Sequence, residues 1–153
     1  MSGADADLDV LVLNGPNLSR LGTREPEVYG HATHADLVAL VSRAAGDLGL
    51  RAEVRQSDDE SDLVRWLHGA VDARLDVVIN PAAFTHYSYA LRDAAALVSG
   101  SGLTLVEVHI TNPHGRESFR RHSVISPVAT GLVAGFGMDG YALALRAVAG
   151  RTR

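Results

Sequence analysis

The 153-residue chain contains no cysteine and no lysine, so all fourteen of its basic residues are arginine. Without cysteine there can be no disulfide, thiolate metal site or cysteine nucleophile. Without lysine there is no Schiff-base catalysis and no P-loop lysine. Blocks of like charge are absent too. With a net charge of −4, the chain is a poor partner for nucleic acid or an anionic membrane, although a local arginine cluster can still bind a small acid. The opening MSGADADLD lacks both the basic stretch and the apolar stretch of a signal peptide, and it reads as a frayed start on a cytoplasmic protein. Internal repeats, low-complexity tracts and linkers are also missing, and SGSG at 99–102 reads as an ordinary helix-to-strand turn.

What is present is a hydrophobic content of 46%, enough for a single domain, 1–153, because chains of this size bury about 68–70% of their unfolded surface. Short apolar runs alternate with amphipathic stretches. The pattern predicts strands near 8–13, 50–56, 76–80, 103–110 and 130–134, and helices near 33–48, 59–73, 86–99 and 138–149, with a turn of helix around 116–121. Five β/α units suit a flavodoxin-like three-layer α/β sandwich around a five-stranded parallel sheet of order 2-1-3-4-5. Ligands of such sheets bind beyond the carboxyl ends of the strands at the switch point, here between strands 1 and 3.

Polar residues gather at those ends. Strand 1 runs into LNGPNLSRLGTREPEVYG, which sets Asn14, Asn17, Arg20, Arg24 and Tyr29 in one glycine- and proline-punctuated loop. Tyrosine titrates near 10 in isolation and a contacting guanidinium draws an acid's pKa down, so arginine and tyrosine together can make a phenolate base. Residues 20–28 offer few buried contacts and read as a mobile lid. Strand 3 ends in Asn80 and leads to His86. In LTLVEVHI of strand 4, Glu107 and His109 stand two apart and so point to one face. They are either a carboxylate fixing an imidazole for proton donation or an edge strand wetting one face; Asn80 and His86 nearby favour the first.

Other residues carry weaker signals. His86 and Asp93, seven apart, share a face of the predicted fourth helix, with Thr85 as a plausible N-cap; a cap followed by a solvated carboxylate is the ordinary account, and for Asp93 the favoured one. Arg116, Arg120 and Arg121 form either a carboxylate clamp or a solvated basic face. No metal is expected at His31 with His34 or at His109 with His114, since the pattern places no third ligand. Leu63, Trp66, Leu67 and Val71 fit the buried stripe of a helix.

Four ordered blocks, NGPNLSRLGTREPEVYG, RQSDDESDLVRWLH, NPAAFTHYSYALRDA and VEVHITNPHGRESFRRHSVISPVATGLVAGFG, give the chain a resemblance over nearly its whole length to the type II 3-dehydroquinate dehydratases (type II dehydroquinases). The resemblance implies a hydro-lyase without cofactor that converts 3-dehydroquinate to 3-dehydroshikimate and water by anti elimination through an enolate. That reaction serves aromatic biosynthesis through the shikimate pathway and equally quinate breakdown. By matching position it implies Tyr29 as proton acceptor, Arg24 as its activator, His109 oriented by Glu107 as proton donor, and Asn17 holding a water at the enolate oxygen. Asn80, His86, Ile110, Thr111 and Arg120 are implied as substrate contacts, and Asp93 as reaching into a neighbouring site within a dodecamer of four trimers. The lack of lysine fits, because the unrelated type I enzymes work through a lysine imine. Pro81, Ala83 and Gly115 depart from the family pattern and affect loop detail only.

Two further classes share the expected fold. A receiver-type signalling module needs acidic residues at the ends of strands 1 and 3 and a lysine after strand 5, where this chain has Asn14, Asn80 and no lysine. A flavin-binding carrier is separated by the colour of the purified protein.

Overall fold

A computed structural model describes residues 7–152; most of the acidic start that the sequence marks as frayed lies outside them. Five strands, β1 (Val10–Asn14), β2 (Ala52–Gln56), β3 (Asp76–Asn80), β4 (Leu105–His109) and β5 (Gly131–Ala134), form one sheet of order β2-β1-β3-β4-β5. Every pairing is parallel. The flavodoxin-like order expected from the sequence is therefore the observed one.

Side-chain alternation along the strands divides the interior into two layers. Val10, Val12, Val78, Val106 and Val108 meet Leu37 and Val41 of helix α2 (His34–Asp47) and Tyr141, Leu145 and Val148 of α5 (Asp139–Thr152). Leu11, Leu13, Val77, Ile79 and Leu105 meet Leu63 and Leu67 of α3 (Glu60–Ala73) and Leu91, Ala95 and Val98 of α4 (Tyr89–Gly100). A four-residue helix, α1 (Pro26–Tyr29), lies in the loop after β1. Among the described residues no helix is long and apolar enough to cross a membrane.

Most predicted boundaries shift by one or two residues, for local reasons. Thr33 caps α2 through a reciprocal capping box with Asp36, and Asp59 caps α3 by accepting from Ser61 N. The fourth helix is the larger correction. It begins at Tyr89, not His86, because Ser88 is the residue whose side chain accepts from Leu91 N. Residues Ala82–His86 instead form a 3-10 turn, and Thr85 is not a cap. His86 and Asp93 therefore do not share a helix face. The turn expected around 116–121 is a 3-10 segment, Ser118–Arg121.

Strands β1 and β3 end side by side, with Asn14 opposite Asn80. Beyond them Gly15 N donates to the Asn80 carbonyl at 2.8 Å, and a Cβ on Gly15 would stand 2.6 Å from the Pro81 carbonyl oxygen. Only glycine permits that backbone-to-backbone approach. Gly15→Ala should force the two strand ends apart and destabilise the protein by about 1–3 kcal/mol, measured by urea unfolding; an unchanged midpoint would show that the contact yields at no cost.

Candidate active site

The carboxyl ends of β1, β3 and β4 surround an open crevice of about 580 Å³ lined by Asn17, Arg24, Tyr29, Asn80, His86, His109, Ile110, Thr111, Arg116 and Arg120. Of the residues singled out in the sequence, Glu107 lies just behind this lining. Asp93 does not reach it: its carboxylate is 77% exposed on α4 and pairs with the adjacent Arg92 at 3.3 Å.

Glu107 sits on the α3/α4 side of β4 and is fully buried. His109 Nε2 donates to its Oε2 at 2.5 Å. Three hydroxyls complete the enclosure: Thr85 Oγ1 donates to Oε2 at 2.6 Å, Ser126 Oγ to Oε1 at 2.6 Å, and Ser123 Oγ to both oxygens at 3.1 and 3.2 Å. Burial pushes the Glu107 pKa up, but the His109, Ser126 and Thr85 bonds outweigh it, and the carboxyl is held below its ordinary 4.5. The carboxylate thus stays charged and fixes the imidazole, leaving Nδ1 for the crevice. The hydroxyl cage was not legible in the sequence, since Thr85, Ser123 and Ser126 follow no period and come from two different loops.

His86 donates from Nδ1 to the His122 carbonyl at 2.7 Å. Burial lowers its pKa, with that carbonyl bond acting the other way. A neutral His86 therefore offers Nε2 as an acceptor. Thr111 and Tyr29 share one donor, because Arg116 Nη1 lies 3.3 Å from Thr111 Oγ1 and 2.7 Å from Tyr29 Oη. Arg24 stands over the Tyr29 ring, its guanidinium carbon 4.9 Å from the ring centre. Two guanidiniums thus flank the phenol, and the one that touches its oxygen is Arg116, a residue read from sequence only as part of a basic cluster. Arg120 lines the crevice and pairs with Glu117 at 3.0 Å. Arg121 of the same cluster does not line the crevice but an adjoining cavity, which Glu107 and Arg120 also line.

Asn17 holds a left-handed backbone (φ 69°), and its N–H donates to Asp58 Oδ1 at 2.8 Å. That bond pins the loop while its side chain stays at the mouth of the crevice. Among the described residues no three histidine, aspartate or glutamate side chains gather as a metal site; His34 places its Nε2 3.2 Å from Asn14 Nδ2. A histidine bonded to a buried glutamate, a tyrosine in contact with two arginines and a neutral histidine thus line one strand-end crevice.

The family model described as Dehydroquinase class II matches residues 8–149. The chain belongs to that family. It is 59% identical over 144 residues to a 3-dehydroquinate dehydratase of Kineococcus radiotolerans, covering 94% of this chain and 97% of the relative. To one from Mycobacterium avium it is 58% identical over 142 residues, covering 93% and 97%. The crystal structure of the type II dehydroquinase from Propionibacterium acnes superposes with a TM-score of 0.89 at 50% identity, covering 93% of this chain and 96% of that one.

The cage around Glu107 makes a pH-dependent prediction. Because the folded carboxyl titrates below its ordinary 4.5, its contribution to stability is full above that range and is lost as the pH falls through the folded value. Ser126→Ala removes a hydrogen bond to a charged group and should cost about 1.5–3 kcal/mol at pH 7. The gap from the parent protein should narrow once Glu107 is protonated in both. Urea unfolding from pH 7 to 3 reads this directly, and a gap constant with pH would mean that Ser126 does not serve the charge.

Proposed function

We propose that Tyr29, His109 and the groups around them carry out in this chain the dehydration of 3-dehydroquinate to 3-dehydroshikimate. The chain is a hydro-lyase, a 3-dehydroquinate dehydratase. The observation that carries the residue assignment is the pairing of opposites across one crevice: a phenol flanked by Arg24 and Arg116, and an imidazole backed by buried Glu107.

The proton to be removed lies beside a ketone and is weakly acidic, so the reaction needs a strong base and a stabilised enolate before the C1 hydroxyl can leave. Tyr29 as phenolate is that base, and the two guanidiniums supply the positive charge a phenolate requires. Asn17 holds a water against the enolate oxygen. His109, protonated on Nδ1 while Nε2 remains on Glu107, then gives its proton to the departing hydroxyl. Asn80, neutral His86, the Ile110–Thr111 backbone with the Thr111 hydroxyl, and Arg120 hold the substrate. General acid–base steps contribute about 10² to 10⁴-fold each, so positioning by these contacts supplies much of the remainder.

The working form we infer is a dodecamer of four trimers in the cytoplasm, with the whole chain as one catalytic unit. In support, Asp93 projects from α4 with its carboxylate largely exposed, beside the exposed Tyr89 and Leu97 of the same helix. Within a trimer that carboxylate completes a neighbour's crevice.

Turnover is read from the ultraviolet absorbance of the conjugated enone formed from 3-dehydroquinate; no absorbance change with the parent protein would refute the activity. Tyr29→Phe removes the ionisable oxygen at little change in volume and should lower kcat by at least about 10²-fold with the fold intact. Near-normal turnover in that variant would place the base elsewhere.

Subunit mixing tests the shared site. Asp93→Ala chains and Tyr29→Phe chains, each nearly inactive alone, should regain activity as hybrids wherever an intact Tyr29 meets an intact Asp93 from the next subunit. Hybrids with verified exchange and no recovery would rule the shared site out.

A further inference from the structure

We propose that Tyr141 is a positioning residue for the site: its buried hydroxyl joins Asn14 to Asn80 and fixes the orientation in which Asn80 meets the substrate. The inference rests on the reading of Asn80 as a substrate contact.

The geometry follows from strand parity and register. Asn14 and Asn80 end neighbouring strands directly opposite one another. Each falls two residues after an inward valine of the α2/α5 layer, so both side chains turn towards α5. Tyr141 stands in the first turn of α5 with no exposed surface. Asn80 Nδ2 donates to Tyr141 Oη at 3.0 Å, and Tyr141 Oη donates to Asn14 Oδ1 at 2.7 Å. Asn14 Nδ2 then meets His34 Nε2 at 3.2 Å.

One backbone group sets the direction of this whole chain. Ala82 N–H can only donate, and it donates to Asn80 Oδ1 at 3.1 Å. The Asn80 amide nitrogen must therefore face Tyr141. The tyrosine oxygen accepts there, so its proton has one destination, Asn14 Oδ1. Asn14 is left to present its own N–H groups to His34, whose Nε2 must be bare to accept. Burial lowers the His34 pKa, which favours the neutral ring this arrangement requires. With Oδ1 on Ala82 and one Nδ2 hydrogen on Tyr141, Asn80 keeps a single amide hydrogen for the crevice it lines. Its direction is determined only while both bonds stand. Burial already explains why the tyrosine hydroxyl needs partners; it does not explain why the partner on one side is a crevice residue held in a defined polarity.

The test compares kinetics for 3-dehydroquinate in Tyr141→Phe, Asn80→Ala and the double variant. A contact made equally in ground and transition states appears in KM. Tyr141→Phe should raise KM by about 3- to 10-fold, the loss of roughly one oriented hydrogen bond, with a smaller change in kcat. The double variant should be no worse than Asn80→Ala alone, because the tyrosine acts through that residue. An unchanged KM in Tyr141→Phe, or effects that multiply in the double variant, would overturn the inference. If Asn80→Ala itself leaves KM unchanged, the reading of Asn80 as a substrate contact fails instead. Should Tyr141→Phe not fold, the far end of the chain serves. His34→Ala should raise KM, and His34→Gln, whose Oε1 replaces the Nε2 acceptor, should restore most of the loss. KM unmoved by His34→Ala, or not restored by His34→Gln, would count against the chain.

Discussion

The arrangement depends on one buried charge. A carboxylate taken wholly out of water costs several kcal/mol unless donors replace its hydration, and Glu107 has no exposed surface. Its donors come from His109 two residues on, from Thr85 after β3, and from Ser123 and Ser126 between β4 and β5. Satisfying this charge therefore ties the long loop after β4 down over the sheet, and Val124 N donating to the Thr85 carbonyl at 2.7 Å locks the two loops together. The same tethered loop carries Arg116 to the Tyr29 oxygen and the His122 carbonyl to His86. A requirement of solvation thus brings Arg116 to Tyr29, fixes His109 on Glu107 and holds His86 at once.

The sheet contributes a second constraint, in that the site is supplied from both of its faces. Glu107 and His109 share the parity of Leu105 and lie on the α3/α4 side, whereas Asn14 and Asn80 share that of Val12 and Val78 and turn towards α5. Parallel strands ending at one level let residues of both parities meet in a single crevice. Moving either asparagine by one position would turn its amide into the opposite layer.

This division explains what the sequence could reveal. Strand β3 was legible to the residue, Asp76–Asn80, because its apolar run Val77, Val78 and Ile79 is bracketed by polar Asp76 and Asn80, with Pro81 next. Glu107 with His109 stood out because charge interrupts an apolar strand near its end, and the Tyr29 loop because its polar side chains follow directly on strand 1. The start of α4 was misplaced because Thr85 and Ser88 are both good caps locally, and what decides between them is Glu107, 22 residues from Thr85. Contacts between distant segments leave no periodic trace. Arg116 meets Tyr29 across 87 positions and Tyr141 meets Asn14 across 127. In sequence, Tyr141 is only an aromatic residue on an amphipathic helix. The reach of Asp93 into a neighbouring site was implied by the resemblance alone, and within the chain its carboxylate pairs with Arg92.

The absence of lysine takes on a sharper meaning in this setting. Every permanently charged cation lining the crevice is a guanidinium, which keeps its charge through the whole working range and offers several directed donors. Arg116 uses one nitrogen to serve both Tyr29 and Thr111, and Arg24 sets its guanidinium carbon over the phenol ring. An ammonium could supply a point charge there, but it would also bring a nucleophilic amine against a ketone substrate and open the route to an imine. The guanidiniums give positive charge without that reactivity. With cations around the base and an anion behind the acid, each partner in the proposed elimination is held by charge of the opposite sign, and neither depends on a group that could compete for the substrate carbonyl.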